Sequence, residues 1–156
     1  MQEQRAGFLK SLRILHLALL AGQCMFLAMV VFVATRNTTS PVSLQTDKIL
    51  QVIALLVSFA AVFGSMTLFK KKLLKINDTA ENITEKTTQY RAANILQWAM
   101  LEGASLFSVI CFFLTGNYSF AALAIALIVF FAILIPSKIK MMLQLRLSEQ
   151  EAAELE

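Results

Sequence analysis

Apolar positions fall into four long runs separated by short polar stretches, at 14–35, 49–69, 94–115 and 120–136. About 20 apolar residues carry an α-helix across the roughly 30 Å hydrocarbon core of a bilayer, so each run predicts one crossing, the fourth being the shortest. The pattern predicts an all-α, polytopic integral membrane protein built as a four-transmembrane-helix bundle. The first run is longer than a signal-peptide core, and no small-x-small site leads from it into a soluble domain. It is therefore read as a retained helix.

The polar stretches give the connections. Residues 36–48 form an outer loop containing Pro41, and residues 116–119 make a turn short enough to force helices three and four to be adjacent and antiparallel. The loop 70–93, KKKLLKINDTAENITEKTTQYRAA, is rich in helix formers and is expected to extend helices two and three beyond the membrane. In the tail, 137–156, Ile139, Met142 and Leu143 lie among basic residues, ahead of Glu149, Glu151, Glu154 and Glu156. Its first half suits a headgroup layer and its acidic end suits water. Asn37, Asn77, Asn82 and Asn117 each begin an N-x-S/T triplet, a pattern common by chance.

One internal similarity stands out. IALLVSFA (53–60) and IALIVFFA (125–132) agree at six of eight positions, and Ser65 then aligns with Ser137. Two helical hairpins in parallel repeat would produce this, and so would coincidence within a small apolar alphabet.

Composition and charge sharpen the class. Of 156 residues 58% are hydrophobic, with a mean hydropathy of +0.68, which excludes an ordinary soluble domain. Twelve of the 14 Lys and Arg residues precede helix one, lie between helices two and three, or follow helix four; Arg36 and Lys48 are the exceptions. This bias predicts cytoplasmic N- and C-termini and a cytoplasmic middle loop, in a membrane most like the bacterial inner membrane. The net charge of +4 then suits anionic lipid at the cytoplasmic face. Nucleic acid is not an expected partner, because the basic residues cluster at helix ends without interleaved aromatics.

Candidate chemistry centres on helix three. Asn94, Gln97, Glu102, Ser105 and Ser108 fall within an arc of roughly 140° at 100° per residue, a polar stripe expected to face protein or water and not lipid. Glu102 is the single acidic residue in the four runs. On helix one, His16 and Gln23 are seven residues apart and share a face. Counting from the cytoplasmic side puts His16 near the depth of Gln97, and Gln23 near that of Glu102. The Gln23 amide is expected to donate to the Glu102 carboxyl, and His16 to act as a hydrogen-bonding residue near the boundary. Trp98, one turn before Glu102, is expected to shield the carboxyl.

Cys24 and Cys111 lack a paired spacing, and one His without a carboxylate cluster gives no metal set, so neither cofactor nor metal is expected. Small residues recur four apart at Ala18/Gly22, Ala60/Gly64, Ala99/Gly103 and Ala122/Ala126, a spacing that lets helix backbones approach within the bundle or between subunits.

The segment AMLEGASLFSVICFFL resembles the carboxylate helix of rotary-ATPase proteolipid subunits, over one helix and without their Gly-rich partner helix. Size and a single membrane Glu are similar to small multidrug transporters, whose Glu lies in the first helix, where this chain has Gln23. No functional residue is carried over from either family. The leading expectation is a non-enzymatic accessory or interaction subunit in which Glu102 is an intramembrane polar contact, working as a homo-oligomer or with other membrane subunits. The alternative is an oligomeric proton or cation pathway with Glu102 as the titrating carboxyl. No nucleophile–base pair shares a depth, which argues against an enzyme.

Overall fold

A computed structural model describes residues 7–36, 42–80, 82–148 and 150–151. Asn37 and Pro41 of the outer loop, Arg5, and Glu149, Glu154 and Glu156 of the tail lie outside the described residues. Five helices follow in order: α1 (Phe8–Arg36), α2 (Leu44–Thr79), α3 (Ile83–Thr115), α4 (Tyr118–Ile133) and α5 (Lys138–Leu145). The first three are each long and apolar enough to cross a membrane alone. α4 has 16 residues, about 24 Å of helix. It reaches spanning length together with α5, from which it is bent by 75°.

Local chemistry explains the boundaries. Ser43, Asn82, Asn117 and Ser137 stand at the N-caps of α2 to α5, each accepting a hydrogen bond from a backbone N–H of the first turn. Two of the N-x-S/T triplets are thus helix caps. α3 stops at Gly116, whose φ of 67° is the left-handed conformation that glycine adopts without a Cβ clash. Pro136 cannot donate to a helical ladder and disfavours helical geometry in the residue before it, so α4 ends ahead of it and Ser137 starts α5 in a new direction.

In the stretch 70–93, expected as a loop with helical extensions, the described residues are helical except Ala80 and Asn82. α2 and α3 therefore continue past the apolar runs as an antiparallel hairpin carrying six of the 14 Lys and Arg residues. Its tip, the start of α1 and all of α5 share the basic end of the molecule. There Leu9, Leu12, Ile76, Tyr90, Met141 and Leu145 form one apolar core with Trp98 and Phe131. A second core, around Val30, Val109, Phe112 and Phe120, fills the opposite end.

α3 is the central helix, packing against α1, α2 and α4, while α2 packs mainly against α3. On α2 a stripe of Ala54, Ser58, Ala61 and Ser65 is buried, whereas Leu55, Leu56 and Phe59 lie outward. In α4, Leu127, Ile128 and Phe131, the positions aligned with those three, are buried. The shared octapeptide thus presents opposite faces in the two hairpins, and the second half of the alignment sets a helical Ser65 against the cap Ser137.

Candidate functional site

α1 buries one stripe at heptad spacing, Leu9, His16, Gln23 and Val30, against α3 and α4. Residues seven apart keep one face toward a neighbour crossing at a shallow angle, so this stripe carries His16 and Gln23 into the interior. On α3 the buried face includes Asn94, Gln97, Ser105 and Ser108. The result is a column of polar side chains running along the bundle between its two apolar cores.

At the middle of the column the Ser105 hydroxyl donates to Gln23 Oε1 at 2.7 Å. Gln23 Nε2 and, on α2, Ser58 Oγ are buried without a partner among the described residues. Ser108 turns back on its own helix, donating to the Ala104 carbonyl at 3.0 Å. Toward the basic end His16 is fully buried, stacked on Phe131 with ring centroids 4.5 Å apart and planes 4° from parallel. Trp98 packs beside it, with ring centroids 4.8 Å apart and planes tilted by 60°. Neither imidazole nitrogen has a hydrogen-bond partner, nor does Trp98 Nε1. His16 is therefore an aromatic-core residue, not the hydrogen-bonding boundary residue expected. Its depth is as counted, level with Gln97 and Trp98.

Glu102 departs from the column. Taking about 100° per residue, the buried arc of α3 runs roughly from Ala93 and Cys111 round to Val109, and Glu102 lies just beyond its Val109 edge. It is partly exposed, and no hydrogen bond or ion pair joins its carboxyl to another described residue. The expected Gln23–Glu102 hydrogen bond is replaced by Gln23–Ser105, because Ser105 is one turn on and about 60° further into the bundle. Trp98 packs on His16 instead of covering the carboxyl.

The edge that holds Glu102 borders α1. Of the eight small residues at four-residue spacing, all but Gly64 are exposed. A Cβ added at Gly22 or Gly103 would meet nothing within 4 Å. Gly22 on α1 and Ala99 on α3 leave the surface low beside Glu102, and Ala18 and Gly103 continue it further round on the outward faces of the two helices. Further along, between the same two helices, Phe26, Met29, Val33 and Phe113 line an apolar crevice of about 300 Å³.

The column ends at the basic end in a second cavity, of about 290 Å³, between α2, α3 and the α4–α5 elbow. Its polar lining is Lys70, Tyr90, Asn94, Gln97, Lys140 and Gln144. The Tyr90 hydroxyl donates to Gln144 Oε1 at 2.7 Å, and Asn94 Nδ2 donates to the Tyr90 carbonyl at 2.9 Å. The structure thus gathers Asn94 and Gln97 here, Gln23 and Ser105 at mid-depth, and leaves Glu102 outside both groups. Tyr90, Lys140 and Gln144 were not singled out from sequence. Tyr90 was findable, since it sits four residues before Asn94 on the same face; Gln144 reaches the site through the bend at Pro136, which sequence spacing does not convey.

Comparison with protein families, with curated proteins and with solved structures yields no match for this chain.

Proposed function

We propose that this chain is a non-enzymatic membrane subunit that binds a second transmembrane helix, from another copy or another protein, along the α1–α3 seam with Glu102 as the polar contact. The observation that carries the reading is the Glu102 carboxyl, partly exposed in the membrane-crossing part of α3 and without a partner among the described residues. An ionised side chain at the centre of a membrane helix costs about 3 kcal/mol on insertion scales, so a donor from a neighbouring helix stabilises it there. Ala18, Gly22, Ala99 and Gly103 supply the low surface that close helix approach needs. The basic end belongs in the cytoplasm on the positive-inside rule, in a bacterial inner membrane.

Subunit counting in native-lipid particles tests the proposal. Glu102→Gln, which keeps hydrogen-bonding atoms, should assemble like the parent. Glu102→Leu should weaken assembly roughly three- to twentyfold, the range of an interhelical hydrogen bond. Unchanged assembly in Glu102→Leu would remove Glu102 from the contact.

A second reading is favoured by the buried, unpartnered atoms of His16, Gln23, Ser58 and Trp98, which ordered water would satisfy. A hydrated column beside Glu102 suits an oligomeric proton or cation pathway in which that carboxyl titrates. In proteoliposomes such a pathway dissipates a pH gradient with the parent chain and not with Glu102→Gln, whereas the subunit reading leaves both tight.

A further inference from the structure

We propose that the cavity under the α4–α5 elbow is a binding site for the phosphate headgroup of an anionic phospholipid. It lies at the other end of the bundle from the α1–α3 crevice, does not involve Glu102, and stands whether or not the subunit reading holds.

The cavity has the charge such a ligand needs. Lys70 and Lys140 line it, and no carboxylate does. The Lys140 ammonium is fixed in place, donating to the Ile133 carbonyl at 3.0 Å and the Ile135 carbonyl at 3.3 Å, which are among those freed where α4 ends. Arg13 Nε holds the elbow from α1 by donating to the Pro136 carbonyl at 2.8 Å. Two cationic side chains therefore bracket a hollow whose shape is set by Pro136 and by hydrogen bonds from separate helices.

A second, independent observation points to a bound group. Gln97 lines the cavity, is only 6% exposed, and makes no hydrogen bond with another described residue. Its amide atoms are not among the fully enclosed ones but stay open to the cavity, so whatever fills that space, water or a bound group, is what they meet. With Gln144 Oε1 taken by Tyr90, the Gln144 Nε2 is also left to donate. Lysine and amide donors converging on one space suit phosphate oxygens.

The surroundings favour a lipid source over a soluble one. Phe69, Leu73 and Leu134 form the apolar part of the lining. Lys70 directly follows the last apolar residue of the second run, at the level where hydrocarbon gives way to headgroups. α5 turns across the bundle at this level with Ile139 and Leu143, four residues apart, 70% and 76% exposed. Its other face, Met141 and Leu145, is fully buried in the core. A short helix anchored inside and apolar outside is suited to lie in the boundary layer beside a lipid seated at its base.

The experiment uses the full chain in non-ionic detergent, with thermal unfolding followed through Trp98, the single tryptophan. Phosphatidylglycerol, phosphatidylcholine and inorganic phosphate are titrated separately. Phosphatidylglycerol should raise the unfolding midpoint saturably, and the other two should not. Lys70→Gln should weaken the phosphatidylglycerol midpoint roughly fivefold, the worth of one lysine near an anionic headgroup. Lys70 is exposed and so can be changed without loss of fold. Lys71→Gln, one residue away and outside the cavity lining, should bind like the parent. Equal weakening in the two variants would mean diffuse surface attraction and overturn the site. Equal response to inorganic phosphate would overturn the lipid assignment in favour of a soluble phosphate ligand, and no response to either anion would overturn both.

Discussion

His16 and Ser105 show how differently two buried polar side chains can contribute. The imidazole stacks on Phe131 with Trp98 packed beside it and neither nitrogen bonded to a described residue, so its polar atoms oppose folding while its ring area favours it. His16→Phe keeps the ring and removes the polar atoms, and should leave the unfolding midpoint in detergent unchanged or raise it. Ser105→Ala strands the buried Gln23 Oε1 and should cost about 1–2 kcal/mol, most of it restored when Gln23→Leu is added. A midpoint that falls with His16→Phe would show that the imidazole holds an ordered water or ligand. The depth of these residues was legible to within a turn: two parallel helices counted from the same side bring His16 level with Gln97 and Gln23 level with Glu102, and the observed neighbours are Trp98 and Ser105. Their azimuth was not. A polar arc of roughly 140° is wide enough to hold both an interior and an edge position, and which end of it faces α1 depends on packing that periodicity alone does not encode.

Elements were legible where one residue decides a boundary, as Gly116 does, and where apolar length decides existence; the fourth helix was expected to run through to 136, but α4 ends at Ile133, ahead of Pro136. The extension of α2 and α3 past the membrane followed from good helix formers with almost no Gly or Pro, since a started helix continues until something stops it. The elbow was harder, because its direction depends on Arg13, 123 residues away, reaching the Pro136 carbonyl. The octapeptide match was legible but its meaning was not, since an apolar span has enough suitable residues to bury either face. Glycine substitutions read these elements directly. Gly116 has a φ of 67°, so Gly116→Ala should destabilise by about 1 kcal/mol. Gly103 is helical with open space at its Cβ, so Gly103→Ala should stabilise the isolated chain by up to about 1 kcal/mol. Opposite shifts in the detergent unfolding midpoint are expected, and a drop at Gly103 would mean that the α1–α3 seam closes on it even without a partner.

At the scale of the whole molecule the two ends differ in kind, and that difference makes orientation testable. The basic end carries the start of α1, the α2–α3 hairpin and α5, bound together by one apolar core. At the opposite end Asn117 Nδ2 donates to Asp47 Oδ2 at 2.9 Å, stapling the α3–α4 turn to the start of α2, and few cations are present. Moving the basic end across a membrane would carry twelve Lys and Arg residues with it, against two for the other end. We propose on this ground a fixed topology with the α2–α3 tip inside. Cys24 faces outward along α1 and Cys111 is buried, and both are replaceable by Ala to give a background without thiols. On that background Lys48→Cys and Lys72→Cys place single exposed thiols at the two ends. A membrane-impermeant maleimide added to intact cells should label position 48 and spare position 72, and permeabilised cells should label both. Labelling of position 72 alone would reverse the topology and place the phosphate cavity in the outer leaflet. Equal labelling at both positions in intact cells would mean that the chain inserts both ways, a result the charge asymmetry opposes.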